Sequence, residues 1–256
     1  MKAGFHFERS AWLWALRAAP FALVLALWFL LTRGSIVNPI FLPKPESTAR
    51  SFLSLLSARF LTEHVGPSLF RVGLAFVGSA AIAFPLGVAS GQFQPAARFI
   101  LPLCGFTRYL PVAAFVPLCI LWFGIDHEQK IAVIMIGVVF QLTLLFAADT
   151  ASVPTELVET GRTFGLSRFQ IVQRIVLPWS LPAIWDDLRI SAGWAWSYLV
   201  LAELVAGNRG VGYFIVQSQR YLETDRVFAA ILFVGVVGAL TDYAFRFGRE
   251  KLFRWT

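Results

Sequence analysis

The sequence predicts an all-α, polytopic membrane protein with about six transmembrane helices, and three observations lead to this fold class. Hydrophobic residues fill 57% of the 256 positions and only 14% are charged, whereas a soluble domain carries about 25% charged residues. Residues 72–97 and 131–148 contain no charged side chain, and a helix needs about 20 apolar residues to cross a bilayer. The length therefore allows about five to seven spans and no large extramembrane domain.

The individual spans follow from the positions of charges and prolines. Uncharged runs at 18–32 and 227–241 reach spanning length if their flanking charges extend to the headgroups. The stretch 99–123 contains Arg108 and three prolines, which predicts one kinked helix buried among protein neighbours. The predicted spans are about 12–32, 68–91, 99–123, 130–149, 183–205 and 227–247.

The distribution of basic residues predicts the orientation. The first apolar run follows Lys2, Arg9 and Arg17 and also fits a signal peptide, but no A-x-A-like cleavage site follows it, so a first span is favoured. With six spans both termini share one side, which carries eleven Lys and Arg residues against eight in the opposite loops. The positive-inside rule then places both termini in the cytoplasm.

Two further patterns predict local packing. After Pro45, apolar residues recur at helical spacing, which predicts an amphipathic helix over about 46–62 at the outer interface, interpreted as a lid packed on the bundle. In the second span Ser79, Ala83, Gly87 and Gly91 repeat every four residues. Such a small-residue face permits close helix contact, within one chain or between two.

The connection 151–182 reads as two short helices that meet at a fixed turn. Ser152 is expected to cap the first helix, and Gly165 to end it in the left-handed conformation. Ser167 with Gln170 forms a capping box for the second helix. Pro178 and Pro182 are expected to end that helix before the next span. These defined ends predict a rigid projection, which a simple connection would not need.

The same loop carries residues that resemble a known family. Glu159–Gly165, nine further residues and Ile175–Pro178 match the spacing of the E-A-A-x-x-x-G-x9-I-x-L-P signature. This motif resembles that of inner-membrane permease subunits of binding-protein-dependent ATP-binding-cassette importers. Thr160 and Gly161 stand where the signature has alanines. The stretches that resemble the nitrate, sulfonate, taurine and bicarbonate subgroup are 42–45, 111–118, 122–124, 202–204, 207 and 210–212.

The resemblance, which extends from about residue 42 to 255, implies the fold of a type I importer permease in a bacterial inner membrane. The loop would be the cytoplasmic coupling helix that docks on a separate ATPase. The partners implied are a second copy of the chain in a homodimer, two ATPase subunits that bind ATP and Mg, a periplasmic or lipid-anchored binding protein, and membrane lipid. The implied coupling residues are Glu156, Glu159, Thr160, Gly161, Arg162, Gly165 and Leu166. The alternative is that Glu159 only stabilises the helix dipole and Gly165 only caps the helix.

Polar residues inside the spans are candidates for a translocation pathway between two chains. They are Arg108, Gln141, Trp196, Tyr198 and Glu203. An ionisable group within the membrane is by default a functional hypothesis, and a guanidinium suits carboxylate, sulfonate and similar oxyanions. Both charged residues have a structural alternative, since Glu203 would also brace the pathway by pairing and Arg108 would also pair or reach the headgroups.

Other function classes find little support in the sequence. No phosphate-binding G-x-x-x-x-G-K-[ST] loop occurs, so ATP hydrolysis and its cofactors are expected in a partner chain and not in this one. The three histidines and two cysteines lack ligand-like spacing, which predicts no metal site. The net charge of +7 is attributed to membrane orientation and not to nucleic acid. The remaining alternative is a self-sufficient ion-coupled secondary transporter, for which inverted halves are expected but not found.

Overall fold

The structure is a computed structural model that describes residues 4–33 and 37–254. Lys2, one of the basic residues that predict the orientation, lies outside them. Within these residues the regular structure is helical. The helices are α1 (Gly4–Arg33), α2 (Pro45–Ser54), α3 (Ala58–Phe60), α4 (Gly66–Gln92), α5 (Gln94–Thr107), α6 (Val112–Phe123), α7 (His127–Ala151), α8 (Thr155–Thr163), α9 (Arg168–Ile171), α10 (Leu177–Ala206), α11 (Val211–Arg220) and α12 (Thr224–Leu252). Single π-helical turns at Leu61–Val65 and Val172–Val176 join α3 to α4 and α9 to α10.

Three of these helical stretches are long and apolar enough to cross a membrane. They are Ala58–Gln92, His127–Ala151 and Thr224–Leu252, and they contain the predicted second, fourth and sixth spans. Two bent helix pairs raise the number to five if each pair is one span. The predicted first span corresponds to a shorter apolar segment, Ala18–Arg33.

The interpretation of 99–123 as one kinked helix is wrong. The chain forms two helices here, α5 and α6, whose axes meet at 97°. Helix α5 ends at Thr107, and Pro111, which cannot donate a backbone hydrogen bond, precedes α6 in an extended conformation. A proline also disfavours helical geometry at the residue before it, so the break falls at 108–111. The 97° bend is that of a broken span or a re-entrant segment, and it places Arg108 at a corner.

Two other helix boundaries differ from the predictions. The amphipathic helix ends at Ser54, where the N–H of Leu55 is shared between the carbonyls of Ser51 and Phe52, and residues 58–62 already belong to the next helical stretch. The helix from Arg168 continues through α10 and does not stop at the prolines. Pro178 lies in the first turn of α10 and Pro182 removes one hydrogen bond a turn later, which a long helix tolerates.

The described chain divides into two compact units, one formed by residues up to Ser57 with Ile215–Leu232 and the other by Ala58–Phe214 with the residues from Phe233 onward. In the first unit the indole N–H of Trp28 donates to the carbonyl of Pro43 at 2.9 Å. The hydroxyl of Ser51 donates to Asp225 at 2.5 Å, and that of Thr224 to the carbonyl of Ile40 at 2.6 Å. These bonds tie the segment after α1 to the start of α12.

The core of the second unit lies among α4, α7 and α10. Its fully buried side chains include Ile134, Val138, Leu142 and Leu199. The small-residue face of α4 packs within the chain: a Cβ at Gly87 would meet Cβ of Phe146 on α7 at 2.5 Å. The absence of that Cβ therefore sets the closest approach of α4 and α7. This contact answers the question that the sequence pattern left open.

Candidate functional site

The projecting loop has the geometry that its glycine and capping residues predict. Gly165 has a φ of +75° and follows α8. The N–H of Leu166 donates to the carbonyl of Gly161 at 3.1 Å and that of Gly165 to Arg162 at 2.9 Å, which is a Schellman motif. Ser167 and Gln170 make both bonds of the capping box, at 2.8 and 3.4 Å. The turn between α8 and α9 is therefore fixed at both ends.

The start of this loop differs from the prediction. Pro154, with an extended ψ of 132°, precedes α8, and the side chain of Ser152 caps nothing in it. The hydroxyl of Ser152 instead donates to the carbonyl of Asp149 at 2.8 Å, at the end of α7. Because the extended residue intervenes, Ser152 lies too far back to reach the first turn of α8.

Six of the seven predicted coupling residues are accessible in the loop. Glu156, Glu159, Thr160, Arg162 and Gly165 are exposed, and Leu166 is half-buried. Gly161 is buried, so its interpretation as a contact residue is corrected. A Cβ at Gly161 would lie 2.5 Å from Cδ1 of Ile175. The missing side chain lets α8 pack on the helical stretch that follows the turn, so Gly161 shapes the projection from within.

Two exposed aromatic residues at the loop tip were missed by the sequence reasoning. Phe164 is 81% exposed and Phe169 is 72% exposed, on either side of Gly165. An aromatic residue at the end of one helix and another at the start of the next have no room in the small loop core of Val153, Ile171 and Val176. Their position between two capped helix ends was the available signal. Exposed aromatic residues in a rigid tip are typical of an interaction surface.

Glu203 lies in a buried network of hydrogen bonds. Its carboxylate is fully buried and accepts hydrogen bonds from Arg71 at 2.6 Å, Ser68 at 2.8 Å and the N–H of Gly212 at 2.9 Å. Gly210, with a φ of +122°, lies so close that a Cβ there would be 2.3 Å from Cδ of Glu203. The second of the two interpretations, bracing by a basic partner, is therefore correct.

Trp196 lies in the hydrophobic core. It is 5% exposed and belongs to the core between α4, α7 and α10. Two residues along a helix turn the side chain by about 200°, and Trp194 accordingly takes the opposite face, where it lines a pocket. The sequence reasoning chose the wrong tryptophan because two aromatic residues at this spacing do not indicate which face is buried.

The structure brings the other three pathway candidates together. Arg108 and Gln141 line one cavity of about 240 Å³ with Trp194, and Nε2 of Gln141 donates to the hydroxyl of Tyr198 at 3.2 Å. The ring of Tyr198 packs against Gly137, where a Cβ would meet it at 2.5 Å. This contact holds Tyr198 against α7. The remaining lining residues are Tyr109, Leu144 and Leu145.

Arg108 has no anionic partner in the part of the chain that the structure describes. Its guanidinium stacks on the ring of Tyr109 at 4.7 Å and donates to that hydroxyl at 2.8 Å. It is exposed at the corner between α5 and α6. The pocket therefore has one free cation, an amide and aromatic walls. Among the described residues no group of three or more His, Cys, Asp or Glu side chains is placed to hold a metal ion.

Comparison with known proteins assigns the chain to a family. Residues 82–252 match the model of the binding-protein-dependent transport system inner membrane component. The chain belongs to this family. It is 30% identical to the taurine transport system permease protein TauC of Escherichia coli strain K12, over 98% of this chain and 95% of that protein. It is 32% identical to the putative aliphatic sulfonates transport permease protein SsuC of Bacillus subtilis strain 168, over 91% and 85%.

Solved structures of ABC transporters share the fold. The inward-facing MetNI methionine ABC transporter aligns with a TM-score of 0.68 at 18% identity, over 77% of this chain and 99% of that one. A bacterial ABC transporter that imports the acidic polysaccharide alginate aligns with a TM-score of 0.62 at 17% identity, over 95% and 99%. The predicted fold class, that of a type I importer permease, is confirmed. The chain is a multi-pass membrane permease.

Proposed function

We propose that this permease carries a small organic or inorganic anion, such as a sulfonate, nitrate, bicarbonate or carboxylate, into the bacterial cytoplasm. Energy would come from two separate ATPase subunits that bind ATP and Mg, and cargo from a periplasmic or lipid-anchored binding protein. Both termini and the α8–α9 loop would lie in the cytoplasm. The taurine and sulfonate relatives support this class of cargo, and a nitrate import permease of Synechocystis, 26% identical over 88% of this chain, supports it further.

The observation that carries the proposal is the rigid loop tip. Phe164 and Phe169 project beside a turn that is fixed by the Schellman motif and the capping box. A docking element must transmit force, and a fixed turn moves with its helices instead of bending. The continuous helix from Arg168 to Ala206 connects the tip directly to a membrane-spanning segment. The tip, with Glu156, Glu159, Thr160, Arg162, Gly165 and Leu166 around it, would dock on the ATPase.

Removing the two aromatic side chains of the tip tests this docking. In the variant F164A/F169A we expect ATPase affinity to fall at least tenfold, since buried aromatic anchors each contribute about 1–2 kcal/mol or more to an interface. The measurement is co-purification of the ATPase from detergent-solubilised membranes, with binding titrated on the purified chains. Phe99, which is 83% exposed on α5, provides the matched control F99A. Equal ATPase recovery from all three proteins would contradict the docking.

The pocket around Arg108 is the proposed pathway face, with a second copy of the chain completing it in a homodimer. Gln141 is the fifteenth of 25 residues in α7, so its Cα lies about 21 Å along a helix of about 37 Å. The pocket therefore lies well inside the hydrocarbon region, where an unpaired charge is costly unless it faces protein or a water-filled cavity. A pathway that hydrates Arg108 and admits an oxyanion meets that requirement.

Neutralising Arg108 tests the pathway. In R108Q we expect import at saturating binding protein to fall about 10- to 100-fold, because a charge-assisted hydrogen bond contributes about 1.5–3 kcal/mol. Assembly with the ATPase should be retained, since Arg108 is remote in sequence from the docking loop, which is the loop formed by α8 and α9. The variant R108K should recover part of the import rate. R98Q, a change of an exposed arginine on the same α5, is the control. Unchanged import in R108Q would remove Arg108 from the pathway.

A further inference from the structure

A second, larger cavity lies between the docking loop and the turn that joins α4 to α5. Its volume is about 550 Å³, within the range of small-molecule sites. One wall is the α4–α5 turn, with Phe93 and Gln94, and the other is the loop, with Arg162 and Arg168. Gln92 is fixed beside it, since its side-chain amide donates to the carbonyl of Thr150 at 2.5 Å. Among its lining residues, only Arg162 also belongs to the proposed docking surface.

The cavity is electropositive. Neither Arg162 nor Arg168 forms an ion pair with any carboxylate of residues 4–33 and 37–254. Helix α5, of 14 residues, begins at the cavity wall without a side-chain cap, so the positive end of its dipole adds to the two guanidinium groups. Two free arginines in one concave site are the arrangement that recognises a phosphate or a similar oxyanion.

Apart from the two arginines and the two glutamines the lining is apolar, and this part distinguishes a lipid from a free ion. Val158, Ile171 and Val172 form the floor of the cavity, and Phe93 is half-exposed at its side. A dissolved phosphate gains nothing from this surface, whereas the glycerol and upper acyl chain of a phospholipid would cover it. The site also lies at the end of α4, which is long and apolar enough to cross a membrane, and lipid headgroups flank a spanning helix at its ends.

We propose that this cavity binds the phosphate of an anionic phospholipid headgroup, held by Arg162 and Arg168, and that the bound lipid braces the docking loop against the α4–α5 turn. Basic pockets of this kind on the cytoplasmic side of membrane proteins bind anionic headgroups. The proposal rests on the proposed function only for the orientation that makes this face cytoplasmic. The exposed tip residues Phe164 and Phe169 lie outside the lining, so the lipid site shares only Arg162, at its rim, with the surface offered to the ATPase.

The test uses the full permease purified with its ATPase in detergent and stripped of native lipid. Dioleoylphosphatidylglycerol, dioleoylphosphatidylcholine and inorganic phosphate are titrated separately, with bound lipid counted by native mass spectrometry and stability followed as Tm. We expect one tightly bound phosphatidylglycerol per permease chain and a rise in Tm that phosphatidylcholine and inorganic phosphate do not reproduce. In R162Q/R168Q the phosphatidylglycerol affinity should fall at least tenfold, and in R162K/R168K by less. R174Q, which changes an exposed arginine outside the cavity, should bind as the wild type.

Three results would overturn the lipid site. Equal binding of phosphatidylcholine would show that the cavity does not select an anionic headgroup, and an equal rise in Tm with inorganic phosphate would show a solution anion site. Loss of ATPase from R162Q/R168Q with unchanged phosphatidylglycerol binding would show that the cavity receives the ATPase. The proposed docking is tested separately with the F164A/F169A variant, which leaves both arginines in place. Unchanged ATPase recovery with that variant would contradict the docking and would leave the lipid site unaffected.

Discussion

Two glycine turns in this permease have opposite surroundings. At Gly165 a Cβ would meet nothing within 4 Å, and the turn presents an exposed tip. At Gly210 a Cβ would overlap the carboxylate of Glu203, and the turn closes around a buried ion pair. Both glycines have a positive φ. The first glycine is required by backbone conformation alone, whereas the second is required by conformation and by space.

The largest loss of stability is expected from breaking the buried ion pair of Arg71 and Glu203 at the second turn. Glu203→Ala leaves the guanidinium of Arg71, which is 2% exposed, buried without its carboxylate, and removal of one partner of a buried pair costs about 3–5 kcal/mol. The Tm of the purified permease in detergent should fall accordingly. The double variant R71M/E203L, which removes both charges, should be more stable than E203A. A single variant as stable as the wild type would show that the pair does not hold the turn.

The next largest loss of stability is expected when a methyl group is added to the glycine of each turn. Gly165→Ala should cost about 1–2 kcal/mol, because a left-handed residue with a Cβ is strained. Gly210→Ala adds a steric overlap with Glu203 to the same kind of strain and should therefore lower Tm further. Gly165→Asn, which tolerates the left-handed region, is the control for the first turn. Equal losses in G165A and G210A would contradict the difference in packing between the turns.

A smaller effect is expected inside the docking loop. Gly161→Ala places a methyl group 2.5 Å from Cδ1 of Ile175, and overpacking of this kind costs about 1–3 kcal/mol. The end of the flexible Ile175 side chain can shift, which favours the lower part of this range. Thr160→Ala, at the exposed neighbouring position, should stay within about 0.5 kcal/mol. The Tm of both variants tests this prediction, and an equal change in Tm would mean that Gly161 does not shape the loop.

The sequence was sufficient where the determinants are local. The capping box needs only residues 167 and 170, and the left-handed turn only Gly165 and the three residues before it, so both were predicted correctly. The break at 108–111 also had local signals in Pro111 and the neighbouring Arg108. It was missed because the apolar length of 99–123 suggested a single span, and length does not reveal that two helices meet at a corner.

Contacts between distant parts of the chain could not be predicted. Arg71 and Glu203 are 132 residues apart in the sequence, and no local pattern pairs them. The sequence offered one indirect signal, since Gly207, Gly210 and Gly212 follow Glu203 closely and permit the backbone to approach a bulky group. Likewise, the buried face of α10 is fixed by α4 and α7, so the choice between Trp194 and Trp196 depended on tertiary packing.

The most direct test of the whole account is reconstitution of the permease in proteoliposomes with its ATPase and the cognate binding protein. ATP hydrolysis should be stimulated by the loaded binding protein, and uptake of the anion should require ATP. The F164A/F169A variant should lose both activities together. Uptake by the permease alone, driven by an ion gradient without ATP, would contradict the account and favour a secondary transporter.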